Sequence, residues 1–202
     1  MKNFILKSIS FVFHPLIMPI LGVLFYFSKT ARFIPEPIVK AKIFSITILT
    51  IVLPILLFFL LRTIRKVDTI YLKSTKERVI PLFINCIITA LILLRVLTIN
   101  EIVELYYFFL GILISTIICL IFAMLKVKAS IHMIAVSGFF MFAVALGIHY
   151  QININGTIAL LVIIMGAIAT SRLHLNAHTS FELIIGSLTG LVPQLILMAF
   201  WL

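Results

Sequence analysis

The sequence predicts an all-α, polytopic transmembrane helical bundle of about seven spans, and three observations carry that expectation. Apolar residues make up 63% of the chain and charged residues only 11%. Mean hydropathy is +1.31. Continuous apolar stretches recur at the length a membrane crossing needs, about 20 residues for a hydrocarbon core of roughly 30 Å. A soluble domain keeps its apolar share nearer half, so the solvent for most of these side chains is lipid. The runs are continuous rather than alternating, which speaks for helices and against a barrel, because backbone groups in lipid need partners within the segment or within a closed sheet.

Seven spans follow in order. Ile9–Ser28 carries Pro15 and Pro19 inside its apolar run and lacks a small-residue cleavage site, so it reads as a retained span rather than a signal peptide. Ile43–Leu61 comes next. Val79–Leu97 is preceded by Ser74-Thr75-Lys76-Glu77, a capping-box pattern. Arg95 interrupts its far end and must snorkel toward the interface, which makes it the weakest span. A six-span arrangement would drop or re-enter one segment between Val79 and Leu125. Leu105–Leu125, Ile131–Tyr150, Ile154–Ser171 and Leu183–Leu202 complete the set, the last behind a second capping-box pattern, Thr179-Ser180-Phe181-Glu182. The longest connection, 62–78, is too short for a separate domain, so residues 1–202 read as one transmembrane domain.

The 16 basic against 6 acidic residues give a net charge of +10. In a soluble protein that excess would suggest nucleic acid; on membrane loops it is explained by topology and by attraction to anionic membrane lipids, and no nucleic-acid partner is expected. With alternating spans, Lys2, Lys7, Arg62, Arg65, Lys66, Lys73, Lys76, Arg78, Lys126, Lys128 and Arg172 share one face, against Lys29, Arg32, Lys40, Lys42 and Arg95 on the other. The positive-inside rule then places the first face in the cytoplasm, and the chain reads as a multi-pass protein of a bacterial inner membrane. Charges in the middle of spans are nearly absent, which disfavours a transporter or channel. Cys86 and Cys119 fall in mid-span, where a thiol acts as a small apolar group. Gly186 and Gly190 form a Gly-x-x-x-Gly pair suited to bundle contacts or to a dimer face.

The cytoplasmic face also gathers polar residues with chemical potential: Arg78, then Ser130-Ile131-His132, then Ser171-Arg172 through His178 to Glu182. Guanidinium groups fix phosphate oxygens bidentately, and a neutral imidazole can attack phosphorus while a second one protonates the leaving oxygen. His178 and Glu182 are four apart, so on a first helical turn the carboxylate would accept the imidazole N–H and fix its tautomer. Ser130 and His132 stand where the fifth span begins, and a helix N-terminus adds N–H donors to an anion site. Lys126, Lys128, His174 and His149 read as interfacial end-residues. His14, inside the first span, is balanced between a functional and an interfacial role.

The third of these segments is similar to a signature of the type 2 phosphatidic acid phosphatase superfamily, which runs Ser-Arg, five residues, His, three residues, Asp. Ser130-Ile131-His132 resembles that family's Pro-Ser-Gly-His signature, and Arg78 with Pro81 resembles a loosened form of its Lys, six residues, Arg-Pro. The resemblance covers about residues 73–190. It implies that His178 is a nucleophile forming a phosphohistidine, with Glu182 orienting it in place of Asp. Arg172, Arg78 and Ser130 would hold the phosphate, His132 would act as general acid, and neither metal nor cofactor would be needed. The sequence departs from the pattern at Tyr71, where the family has its Lys, leaving Lys73 as the candidate substitute. Ile131 replaces the family's Gly, and Ala129 its Pro. The expected function is hydrolysis of a lipid phosphate, phosphatidate-like or a polyprenyl diphosphate. The alternative is an inactive relative that binds lipid headgroups or serves, as a homodimer or subunit, in a membrane assembly.

Overall fold

A computed structural model describes residues 2–66 and 74–202, and among these the regular structure is helical, with no strand. Seven spans are long and apolar enough to cross a membrane: Phe4–Lys29, Glu36–Thr63, Thr75–Arg95, Val103–Met124, Ile131–His149, Asn155–His174 and Ser180–Met198. The fold is an all-α seven-span bundle, and the six-span alternative falls away. The third span is one continuous helix, with Arg95 in its last turn rather than inside the crossing. That helix begins before the expected Val79 because Ser74 caps it, its Oγ accepting from Glu77 N at 3.3 Å.

Proline shapes the first two spans. Span one consists of α1 (Lys2–Val12), a 3₁₀ turn Pro15–Ile17 and α2 (Met18–Lys29). Pro15 has no N–H and its ring excludes a helical His14, which is extended at φ −68°, ψ 141°. His14 Nδ1 instead accepts from Leu16 N at 3.3 Å. Pro19 falls in the first turn of α2, where no N–H is required. Span two joins α3 (Glu36–Thr47) to α4 (Leu53–Thr63) through a π turn, Ile48–Val52, directly before Pro54. The π turn widens the helix where Pro54 cannot donate to the preceding turn.

The remaining helices are α5 (Thr75–Arg95), α6 (Val103–Met124), α7 (Ile131–His149), α8 (Asn155–His174) and α9 (Ser180–Met198). Four helices end on a non-glycine residue in the left-handed region: Arg65, Lys126, Gln151 and Asn176, at φ between 50° and 63°. Each is followed by a backbone bond of the Schellman type, such as Val127 N to Phe122 O at 2.8 Å and Ala177 N to Arg172 O at 3.0 Å. The chain therefore turns sharply out of α4, α6, α7 and α8.

The central helix is α7, the most enclosed of the spans, against which α2, α6, α8 and α9 all pack. Its closest partner is α9. A Cβ on Gly186 would lie 2.7 Å from Ser130 O, and one on Gly190 would lie 2.1 Å from Ile134 O, so the two backbones touch there. The glycine pair thus serves a contact within the bundle. Lipid gives little hydrophobic drive between helices, and small residues and buried hydrogen bonds take over. Ser137 Oγ donates to Ser187 O at 2.9 Å, Ser115 Oγ to Thr189 O at 2.9 Å, and Gln194 Nε2 to Phe108 O at 2.8 Å.

At the bundle end opposite the motifs, Glu104 is 1% exposed. Tyr150 OH donates to its carboxylate at 2.8 Å and Tyr26 OH at 3.4 Å, while Arg32 and His149 each stand 3.7 Å away. His149, read from sequence as a plain polar end-residue, therefore belongs to a carboxylate-centred cluster joining the ends of span one, α6 and α7.

The glycine contact has a measurable consequence. Gly190→Ala drives a methyl into a backbone carbonyl and should cost on the order of 1–3 kcal/mol, lowering the thermal midpoint of the detergent-solubilised protein. Gly156→Ala, with nothing within 4 Å of an added Cβ, should leave that midpoint unchanged or slightly raised. Equal behaviour of the two variants would refute the backbone contact.

Candidate functional site at one end of the bundle

Three chain segments meet at the end of the bundle where α5, α7 and α9 begin. Arg78, in the first turn of α5 and 5% exposed, donates from Nη1 to Ala129 O at 2.9 Å. The sharp cap at Lys126 brings the next residues onto the other segments. Lys128 Nζ donates to Ala177 O at 2.8 Å and lies 4.0 Å from Glu182 Oε2. Ser130 N donates to Glu182 O at 3.1 Å. Three successive residues, Lys128, Ala129 and Ser130, thus tie the turn to α5 on one side and to the 177–182 segment on the other.

Ser130 is the N-cap of α7, yet its side chain makes no capping bond. The hydroxyl is buried and has no hydrogen-bond partner among the described residues, although the residue is 0% exposed. A buried hydroxyl without a partner costs roughly 1–3 kcal/mol. It sits at the start of α7, where the first N–H groups have no partner within the helix, an arrangement that suits an anion.

Glu182 has two parts to play. Its N–H donates to Thr179 Oγ1 at 3.3 Å, so the capping pattern read from sequence starts α9. The carboxylate, however, turns to His178, with Nδ1 and Oε2 2.6 Å apart. The His178 side chain is 2% exposed. With Nδ1–H donated to the carboxylate, the lone pair lies on Nε2, the tautomer a nucleophilic histidine needs. Burial pushes the His178 imidazole below its ordinary range, and the charges of Arg78, Lys128 and Arg172 push in the same direction, while the bond to Glu182 opposes them. Burial likewise lowers the Lys128 ammonium, with Glu182 opposing.

Arg172, half-buried in the last turn of α8, is within electrostatic reach of both His178 and Lys128. His132, at the start of α7, has its Nε2 3.2 Å from Ser10 O rather than on His178. The His14 ring meets it edge-on at 5.6 Å between centroids. The break at Pro15 lets α1 cross the end of α8, where the Ser171 hydroxyl donates to Leu6 O at 2.6 Å and lies 2.7 Å from Ser10 Oγ. His14 is thereby a neighbour of the site instead of an isolated interfacial histidine.

Arg78, Ser130, His132, Arg172, His178 and Glu182 therefore converge at one end of the bundle, and Lys73 and Tyr71 lie outside the described residues. Lys128, read from sequence as a membrane anchor, is bonded into the site. Its one sequence signal was its place in the same turn as Ser130. Charge near a membrane end is so common that this signal carried little weight.

A ring titration of His178 by heteronuclear NMR should show it neutral at pH values where a free histidine, with its ordinary value of 6.5, is half protonated. Glu182→Gln removes the group that favours the charged ring, so the midpoint should move lower still; a rise would contradict the assigned pair. Since the folded ring resists protonation, its contribution to stability is full above pH 6.5 and declines as the pH falls from there toward the folded value. Comparison of the chain with family models, curated proteins and solved structures finds no match, so the site is read from its own chemistry.

Proposed function

We propose that the chain is a membrane-embedded, metal-independent lipid phosphate phosphatase, a divergent relative of the type 2 phosphatidic acid phosphatases, acting on a phosphatidate-like or polyprenyl diphosphate substrate. The observation that carries this reading is the His178–Glu182 contact at 2.6 Å in a buried, cation-lined end of the bundle. The His178 Nε2 lone pair attacks phosphorus and the bond to the leaving oxygen breaks, with His132 supplying the proton to that oxygen. Water then attacks the phosphohistidine, the P–N bond breaks, and inorganic phosphate leaves as His132 takes up the proton from water. Arg172 and Arg78 hold the equatorial oxygens, and the unspent Ser130 hydroxyl donates to one of them. For this, the His132 ring must either use Nδ1 or turn Nε2 away from Ser10.

A substrate tail stays in lipid while its headgroup meets this membrane-end site, which suits a chain whose described residues lie mostly within its spans. One observation favours the second reading, an inactive headgroup-binding protein or assembly subunit: the His178 side chain is only 2% exposed.

Phosphate release from a panel of lipid phosphates by purified wild type beside His178→Ala, with EDTA present, decides between the two. Hydrolysis by wild type, falling by about 10³-fold or more in the variant, is expected for loss of a covalent nucleophile. Folded wild type that releases no phosphate from any lipid would leave the headgroup binder. A cysteine at position 176 should react with impermeant reagent in inside-out but not right-side-out vesicles, in line with the charge bias. The reverse labelling would place the site on the outer face.

A further inference from the structure

The charge balance of the site leaves one cation unassigned, and the geometry supplies it. A phosphate monoester brings about −1.5 to −2 at neutral pH, and Glu182 already contributes a negative charge beside His178. Of the described residues, Arg78 and Arg172 together offset two charges, so phosphate bound while His132 is neutral leaves about −0.5 to −1 uncompensated in a largely buried site. Such a charge is costly unless paired.

We infer that Lys128 is the third phosphate-holding cation of this site and that it also sets the position of Glu182. This rests on the phosphatase reading for its substrate, though the anion site itself does not depend on turnover. Three features of the structure place Lys128 in this role. Its Nζ lies 4.0 Å from the same Glu182 Oε2 that meets His178 Nδ1, so ammonium and imidazole share one carboxylate oxygen. An ammonium has three donors; one goes to Ala177 O at 2.8 Å, and Glu182 is in ion-pair range but beyond a hydrogen bond. The remaining N–H groups have no hydrogen-bond partner among the described residues and can turn toward an anion on a flexible stem. The backbone beneath is fixed on both sides, by Arg78 on Ala129 O and by Ser130 N on Glu182 O, so the ammonium cannot drift far from the imidazole. An interfacial anchor would instead stand exposed, as the neighbour Lys126 does.

The test separates charge from packing. Lys128→Gln keeps a donor for Ala177 O and loses the charge, whereas Lys128→Arg keeps the charge. Binding of inorganic phosphate is read from the concentration that half-saturates its thermal stabilisation of the detergent-purified full chain. Lys128→Gln should need about tenfold more phosphate than wild type and Lys128→Arg should stay within about threefold, as expected for losing and keeping one charge-assisted contact. Where lipid phosphate hydrolysis is present, the acid limb of its pH profile should move to higher pH in Lys128→Gln, because one cation that disfavours the protonated His178 is gone while Arg78, Arg172 and Glu182 remain. A packing role alone would not move that limb. Phosphate binding by Lys128→Gln as tight as wild type, or no stabilisation of wild type by phosphate, would overturn the assignment. Hydrolysis with an unchanged Lys128→Gln removes Lys128 and leaves the phosphatase standing. Weakened phosphate binding without hydrolysis keeps Lys128 and replaces the phosphatase with a headgroup binder.

Discussion

The structure hangs on the backbone contact between α7 and α9. Side chains at positions 186 and 190 would hold the two helices apart, and with them the start of α7 from the start of α9. With glycine at both positions the carbonyls of Ser130 and Ile134 come against the facing helix. The approach carries Ser130 N to Glu182 O at 3.1 Å, the bond that brings two polar segments, far apart in sequence, to one place. In lipid this contact cannot rely on the expulsion of water; the Ser137 hydroxyl closes it on Ser187 O, and Ser115 and Gln194 hold α9 to α6 by bonds to main-chain carbonyls.

Sharp helix ends do the rest. A left-handed residue other than glycine costs roughly 1–2 kcal/mol, yet Lys126 and Asn176 both adopt it at φ 63° and 50°. In each case the Schellman bonds satisfy carbonyls that the helix end would leave bare. The turn after α6 places Lys128 within a few residues, and the turn after α8 places His178 likewise. A site made of short turns and first helical turns needs no long loop, so a chain with little soluble structure can still position several polar groups.

The span count was legible because apolar length is fixed by bilayer thickness and needs no knowledge of neighbours. Boundaries and breaks were harder. Pro15 and Pro19 were visible and locate the break, but only the packing of α1 across Ser171 shows what the break positions. Arg95 interrupts the expected span Val79–Leu97 but not the helix itself, which starts at the Ser74 cap and ends at Arg95. The Glu182 pattern predicted both a cap and a histidine partner, and the residue divides the tasks between its N–H and its carboxylate. Glu104 escaped notice because a single acid next to a span gives no local signal. Its partners come from sequence-distant Tyr26, Arg32, His149 and Tyr150.

On the proposed reading, the cations serve two purposes at different moments of the reaction. Before substrate binds, the field of Arg78, Lys128 and Arg172 adds to burial and keeps the His178 ring neutral, against the pull of Glu182. A bound phosphate neutralises much of that field, so the opposition to positive charge on the ring weakens as it is about to become the phosphorylated imidazolium. Glu182, the minority influence in the free protein, then becomes the stabilising partner of that charge through Nδ1. The balance needs the carboxylate close to the ring in a site where burial and the cations together oppose its pull. Burial, the largest influence, opposes a protonated ring even against Glu182, and the cations add to it; a site with the cations but without Glu182 would leave the charged intermediate without a counter-charge.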